Sequence, residues 1–382
     1  MYLDNSATSF PKPECVYTAV NDFMRNNGAN AGRGNYALAR DAEELIYQTR
    51  KSAAKLLGAK KASNIVFTGN VTEALNMILK GFLNDGDEVL TSSIEHNAMW
   101  RPLNYLQRDK NVKIHTFSCA KDGSADLQEI KDLLGKNIKL VALVHGSNVL
   151  GSIFPLQEIV EPAHEKNIPV LVDAAQTAGA IPINIEALGV DFLAFTGHKG
   201  LLGPTGTGGF YIKEGLELRP LKAGGTGSVS TSPFQPDSVP DRYEAGTMNT
   251  MGLAGLKAGT EFLLQTGVNK IHEHEIALVS RLLNGLANIG EVEVYGPQSA
   301  ENRLGLATFN IRSRNPYDVS AWLDEHAGIM VRAGLHCSPQ AHRVLGTVET
   351  GAVRASVGYF NTAEDIDALL QALRDYIKIV RK

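Results

Sequence analysis

Val172-Asp173-Ala174-Ala175-Gln176, then Phe195-Thr196-Gly197-His198-Lys199, then the glycine-rich run from Gly200 to Gly209, is the stretch on which the reading of this chain turns. Val170–Asp173 and Phe192–Thr196 are near-continuous in apolar residues, as expected of parallel strands covered on both faces. The first strand delivers a carboxylate at its end, and the second leads into a lysine. A strand-end aspartate and a surface lysine are common separately, so the surroundings decide what the pair means.

Working outward, short apolar runs alternate with amphipathic helical patterns from about residue 45 to 215, the signature of parallel strands joined by crossover helices. Strands are predicted at Ile65–Thr68, Glu88–Ser92, Lys113–Ser118, Leu140–His145, Val170–Asp173, Phe192–Thr196 and Gly208–Ile212. The fold class is therefore α/β, a doubly wound, seven-stranded, mainly parallel sheet. Ligands of such sheets bind beyond the carboxyl ends of the strands. Polar residues gather there in five loops: Thr68-Gly69-Asn70-Val71-Thr72, Glu95-His96-Asn97, His145-Gly146-Ser147-Asn148, Asp173 to Gln176 and Thr196 to Lys199.

From Gly215 to Gly246 the chain becomes rich in Gly, Pro and Ser, and a loop of that length is usually functional or mobile. Helical patterns at about 251–266 and 268–289 follow. A second alternation then comes at Val292–Tyr295, Ala307–Ile311, Ile329–Arg332 and Val353–Val357, with a last helix from about Ala363 to Val380. This reads as a large α/β domain over residues 15–260 and a smaller α+β C-terminal domain over 261–382, joined by the N-terminal segment 1–14.

At 382 residues the chain exceeds the usual size of one core, which agrees with two domains. A net charge of -4 leaves no electrostatic footprint for nucleic acid or an anionic membrane, so neither is an expected partner. The start, Met1-Tyr2-Leu3-Asp4-Asn5, has no targeting pattern, and no uncharged apolar run approaches the roughly 20 residues of a membrane span. Three cysteines, Cys15, Cys119 and Cys337, suit a reducing compartment, and the cytoplasm is the expected location.

Single residues carry more. Thr72-Glu73, with Gly69 ahead, opens a helix after a strand and would present N–H groups and a hydroxyl to an anion; otherwise Thr72 is an ordinary N-cap. His96 would stack on a flat ring or shuttle a proton, or else packs as a loop residue. Asn148 and Gln176 are donors to a ligand oxygen or merely turn formers. Arg354 lies inside an apolar strand pattern and must be paired, either by a substrate carboxylate or by a structural partner. Cys337, beside His336 and near Arg332 and Arg354, lies among groups that lower a thiol pKa, and the thiolate is the nucleophile. Cys15 and Cys119 lack basic neighbours and read as buried and inert. No metal site is expected, since Cys337-x4-His342 lacks a second cysteine pair. His272 and His274 point to different helix faces and read as solvated.

Taken with these loops, the opening pair acquires a meaning. A lysine amine able to form a Schiff base, and a carboxylate able to keep a pyridine nitrogen protonated, are what pyridoxal 5'-phosphate requires.

From Leu3-Asp4-Asn5-Ser6-Ala7-Thr8 to Val353-Arg354-Ala355-Ser356-Val357 and Asn361-Thr362, the chain resembles the cysteine desulfurases among the class V aminotransferases. The resemblance rests on Thr196-Gly197-His198-Lys199, Asp173-x-x-Gln176, Ser147-Asn148-Val149-Leu150-Gly151 and Arg242-Tyr243-Glu244-Ala245-Gly246-Thr247-x-Asn249. It implies a fold type I enzyme of the group whose nucleophile lies on a short loop. Lys199 would be the Schiff-base lysine, Asp173 the pyridinium partner, His96 the stacking residue, and Asn148 and Gln176 the partners of the phenolic oxygen. Val71, Thr72, Thr196 and His198 would hold the phosphate, with Thr247 supplied by the other subunit of a homodimer. Arg354, with Arg332 and Asn148, would bind L-cysteine, and Cys337 would take its sulfur as a persulfide, leaving L-alanine. A sulfur-acceptor protein serving iron-sulfur cluster or other sulfur-cofactor assembly is the partner this implies. Selenocysteine lyase, another lyase or an aminotransferase keeps the same cofactor, and a non-catalytic scaffold keeps only the fold. Gly32, Tyr36 and Leu335 stand where relatives often carry histidines, and Gly200-Leu201-Leu202-Gly203 looks one residue longer than the common form.

Overall fold

The computed structural model describes residues 1–32 and 34–380; Arg33, within the Gly32–Tyr36 stretch noted above, lies outside the described residues. The large sheet comprises β1 Ile65–Thr68, β2 Glu88–Ser92, β3 Lys113–Phe117, β4 Ile138–Val144, β5 Val170–Asp173, β6 Phe192–Thr196 and β7 Gly208–Ile212. Their order is β1-β7-β6-β5-β4-β2-β3. Strands β2 to β6 run parallel to their neighbours, and only β7 is antiparallel, pairing with both β6 and β1. Val141, Leu143, Val172 and Leu193 are buried on one face and Leu140, Ala142, Leu171 and Phe192 on the other. Both faces are covered, which is why these strands read as continuous apolar runs.

The register brings the chemistry to one rim. Val144 pairs with Asp173 and Asp173 with Ala194, so β4, β5 and β6 end side by side. Strand β7 fits only because it begins with two glycines: a Cβ at Gly209 would lie 2.4 Å from the Val66 carbonyl oxygen, and one at Gly208 2.7 Å from Asn70 Cα.

The second sheet, β8 Val292–Tyr295, β9 Leu306–Ile311, β10 Arg332–Gly334 and β11 Ala352–Ser356, is antiparallel in the order β10-β11-β9-β8. Helices Val268–Ala287, Pro316–Ala327 and Ala363–Val380 cover it around a separate core of Val279, Leu282, Phe309, Val353 and Leu369. The strand expected at Ile329–Arg332 lies later, at Arg332–Gly334. The N-terminus displaces it: Leu3 N–H donates to the Met330 carbonyl and Met330 N–H to that of Met1, so pairing with β11 starts at Arg332. The same arm continues to Ser9, whose N–H reaches the His198 carbonyl (3.0 Å), and so stitches the small sheet to the loop before Lys199.

The irregular stretch between β7 and helix Thr250–Thr266 is pinned near its end. Glu244 pairs with buried Arg50 (2.7 Å) and accepts the Phe67 N–H (2.6 Å), while its middle leaves Val229 and Phe234 exposed. Among the described residues no helix is long and apolar enough to cross a membrane.

Candidate active site

Asp173 ends β5 almost fully buried, with Oδ1 accepting the Ala175 N–H at 2.9 Å. Burial pushes its carboxyl up and the nearby Lys199 opposes the shift. Lys199 follows β6, and loss of solvation pushes its amine down to about 8, against the pull of Asp173. A close crossing holds the two loops together. Gly179 has φ +85°, and a Cβ there would lie 2.3 Å from the Gly200 carbonyl oxygen, so only glycine fits. The segment after Lys199 folds into a turn, Leu202 N–H to the Lys199 carbonyl (2.9 Å), with Leu202 itself left-handed at φ +59°.

An anion cradle lies beside them. Helix Val71–Phe82 is capped by Asn70, whose side chain accepts the Glu73 N–H (2.9 Å); Thr72 is not the cap. Asn70 holds the extended position just before the helix, from which its side-chain oxygen reaches the third N–H, whereas Thr72 is already the second helical residue and its side chain is exposed. Thr196 Oγ1 and His198 Nδ1 are buried with no partner among the described residues. Burial pushes His198 down to about 4, so its ring is neutral near pH 7. A helix N-terminus with two orphaned polar atoms beside it is an arrangement that an anion completes.

His96 is the N-cap of helix Asn97–Lys110: its Nδ1 accepts the Ala98 N–H (3.0 Å), which assigns the ring proton to Nε2. Burial, then the charges of Lys199, Arg332 and Arg354, push it down to about 3. Its neighbour Glu95 is fully buried. Oε1 accepts from Ser92 Oγ (2.5 Å) and Val144 N–H (3.0 Å), Oε2 has no partner among the described residues, and burial pushes the carboxyl up to about 8. Burial pushes Asp173 in the same direction, and there the Ala175 N–H and the charge of Lys199 oppose it. Sequence reasoning named Glu95 only as a neighbour of His96; the signal was an acid three residues past the end of a buried strand, directly after the apolar Ile94.

The small sheet supplies the other wall. Register places Arg332 opposite Arg354, a like-charge pair that is unfavourable unless something negative sits between or beside them. Arg354 is fully buried: Nη2 pairs with Asp4 Oδ1 (2.6 Å), Nη1 donates to the Asn148 carbonyl (3.0 Å), and Nε has no partner among the described residues. The structural ion pair therefore exists and one donor remains. Arg332 Nη2 lies 3.4 Å from Cys337 Sγ, and that thiol is exposed.

The cysteine loop is both strained and tied. His336 (φ +51°) and Cys337 (φ +58°) are consecutive left-handed residues, costing on the order of 1–3 kcal/mol each. Asn148 Nδ2 donates to the His336 carbonyl (2.7 Å), Asn148 Oδ1 accepts from Ser338 Oγ (2.6 Å), and Asn97 N–H donates to the Cys337 carbonyl (2.8 Å). Asn148 is thus engaged with the cysteine loop, and Gln176 Nε2 with the Ser6 carbonyl (3.0 Å). Thr247 is exposed, its hydroxyl accepting from Asn30 (3.3 Å).

Cys119 is buried and pushed up to about 11 by that burial, whereas Cys15 is exposed on helix Glu14–Asn26 rather than buried. His274 is not solvated either: its Nε2 lies 2.9 Å from the Asn361 carbonyl because the turn before the last helix folds onto it, and His272 is partly buried.

The profile of the aminotransferase class-V family matches residues 1–369. The chain belongs to the class-V aminotransferases. It is 36% identical to a probable cysteine desulfurase of Methanothermobacter thermautotrophicus over 98% of this chain and 94% of that one. To a cysteine desulfurase of Shigella sonnei it is also 36% identical, over 98% and 92%. Among solved structures, the apo cysteine desulfurase of Thermococcus onnurineus superposes with a TM-score of 0.92 at 35% identity, covering 99% of this chain and 94% of that one. The cysteine desulfurase CsdA of Escherichia coli gives 0.89 at 31%, covering 99% and 94%.

Enzymes of this class-V group use pyridoxal phosphate, and the residues here suit it. The orphaned Thr196 hydroxyl and His198 Nδ1 fit a phosphate, buried Asp173 fits a pyridinium, and Lys199 with its lowered pKa fits an aldehyde partner.

Proposed function

We propose that this chain is a pyridoxal-phosphate-dependent cysteine desulfurase, converting L-cysteine to L-alanine and taking the sulfur on Cys337 as a persulfide. The observation that carries the reading is the exposed Cys337 thiol, held on a strained loop with Arg332 3.4 Å from its sulfur, in a site that also holds Lys199 and Asp173. Bound in this site, pyridoxal phosphate supplies an electron sink. Asp173 holds the proton on the pyridine nitrogen. Lys199 presents a readily deprotonated amine, and neutral His96 offers a flat ring with its proton on Nε2. Arg354, with one unpartnered donor, takes the substrate carboxylate. In the net exchange the substrate C–S bond breaks, an S–S bond forms on Cys337, and the substrate carbon gains a proton.

The working form is a homodimer in which Thr247 of one subunit completes the phosphate site of the other. The exposed Val229 and Phe234 of the loop leading to it support this reading. The persulfide then serves a sulfur-acceptor protein in the cytoplasm, for iron-sulfur cluster or other sulfur-cofactor assembly. Selenocysteine is the competing substrate, because release of selenium does not require the thiol. The test is purified protein with L-cysteine, scored for alanine and for one added sulfur on Cys337 by mass spectrometry. Persulfide on Cys337 with matching alanine is expected. Alanine formation undiminished in Cys337→Ala overturns the reading, and L-selenocysteine assayed alongside identifies the alternative.

A further inference from the structure

Behind Cys337 two histidine rings lie stacked, His336 and His342, with centroids 5.4 Å apart and planes 16° from parallel. His336 Nδ1 is 3.2 Å from His342 Nε2; His336 Nε2 is 3.3 Å from the Arg332 carbonyl, and His342 Nδ1 is 2.8 Å from Thr347 Oγ1. All three side chains are buried.

One atom orients the whole chain. A carbonyl oxygen only accepts, so His336 donates from Nε2 and keeps a lone pair on Nδ1. His342 must then donate from Nε2 and accept at Nδ1, and the Thr347 hydroxyl must donate to it. Adding a proton to His336 would set its Nδ1–H against the His342 Nε2–H. Burial pushes His336 down to about 2 and His342 to about 4, in keeping with two neutral rings.

The ends of this chain matter. At one end is the backbone of Arg332, whose guanidinium attends the Cys337 sulfur. At the other is Thr347, whose N–H caps back to the His342 carbonyl (2.9 Å) and whose own carbonyl accepts from Gly351, the residue leading into β11 and Arg354. The ties from Asn148 and Asn97 grip the loop's carbonyls and Ser338, and neither reaches the His336 ring or Arg332.

We infer that His342 is a positioning residue: through the Thr347–His342–His336 chain it sets Arg332 against Cys337 and holds the thiol for attack on the substrate sulfur. The inference rests on the desulfurase reading for its purpose, and on the hydrogen-bond geometry for its existence.

The test compares wild type, His342→Phe, His342→Gln and Thr347→Val, each loaded with pyridoxal phosphate. His342→Phe keeps a flat ring and removes both hydrogen bonds; His342→Gln keeps one donor and one acceptor. The expected result for His342→Phe is a fall in kcat of roughly 10–100-fold, the cost of a small misplacement of a reacting group. KM for L-cysteine and the bound-cofactor absorbance should stay within about two-fold, because Arg354 and Lys199 are untouched. Iodoacetamide alkylation of Cys337 at neutral pH should slow in parallel, as Arg332 leaves its sulfur. His342→Gln should recover most of both losses, and Thr347→Val should lose less than His342→Phe in the same direction, which keeps the test valid if the phenylalanine variant does not fold. Wild-type kcat and alkylation in folded His342→Phe or Thr347→Val overturns the inference. So does an equal loss in the Phe and Gln variants. Should wild type lack desulfurase activity while alkylation still follows His342, the functional reading fails and the positioning stands.

Discussion

The rim of the large sheet and the cysteine loop of the small one are built on opposite terms. At the rim, polar groups are left wanting: among the described residues Thr196 Oγ1, His198 Nδ1 and Glu95 Oε2 are buried without partners, and Asp173 has a single backbone donor. In the cysteine loop, the carbonyls of Leu335, His336 and Cys337 are all taken, while the backbone of His336 and Cys337 is forced into left-handed geometry. The rim keeps its hydrogen-bonding capacity for a guest; the loop spends its own on holding one sulfur in place. A site that must bind a cofactor and then present a nucleophile needs both kinds of wall.

The loop is the place where a single change has the largest effect. Cys337→Ala should lower persulfide and alanine formation from L-cysteine by about 10³-fold or more, since it removes the nucleophile itself. The bound-cofactor absorbance should be unchanged, because Lys199 and the rim remain. A colourless variant would mean that the two walls are not separable.

Next in size is the rim's charge. Asp173→Asn should cost about 10²–10³-fold in kcat, the range found when one electrostatic partner of a developing charge is removed. It should leave iodoacetamide alkylation of Cys337 near the wild-type rate. Alkylation that falls with kcat would show the loop leaning on the rim for its geometry.

A smaller effect belongs to Glu95, the buried acid beside His96. Glu95 titrates near 4.3 in an unfolded chain and is pushed up to about 8 when folded. The folded state therefore holds that proton more tightly, and the stability this gives is fully present below about pH 4.3 and is lost as pH rises toward about 8. Glu95→Gln cannot titrate and escapes the loss. Its Tm relative to wild type should climb between about pH 5 and pH 8, measured by calorimetry without cofactor. Parallel Tm curves for the two proteins across that window would refute a neutral Glu95.

What could be read in the chain follows the same division. The seven strands and the rim residues Asp173, His96, Thr196 and Lys199 were legible because a strand end places its own next residue, and burial of both sheet faces writes itself as continuous apolar sequence. The loop's ties were not. Asn148 bonds the His336 carbonyl across 188 residues and Arg354 bonds Asp4 across 350, and single-residue chemistry cannot choose such partners. The helix cap shows the same limit at short range. Thr72 and Asn70 are both good caps, and geometry selected Asn70. Cys15 and His274 were misread because helical facing depends on what the neighbouring elements cover, which the helix sequence alone does not state.

The smallest effect tests the contrast most directly, because it changes sign. Thr196 Oγ1 is a buried hydroxyl without a partner among the described residues, a condition that costs roughly 1–3 kcal/mol. Thr196→Val removes the hydroxyl at nearly constant volume. Without cofactor the variant should be as stable as wild type or more so, with a Tm raised by a few degrees. With cofactor the order should reverse: the lost phosphate hydrogen bond, worth about 1.4 kcal/mol or a factor of ten at most, should weaken pyridoxal phosphate binding and shrink the Tm gain that the cofactor confers. Both arms are read in one thermal titration against cofactor concentration. A variant less stable than wild type without cofactor would mean that the hydroxyl already has a partner in the folded chain, and the rim would then be no more in need of a guest than the loop.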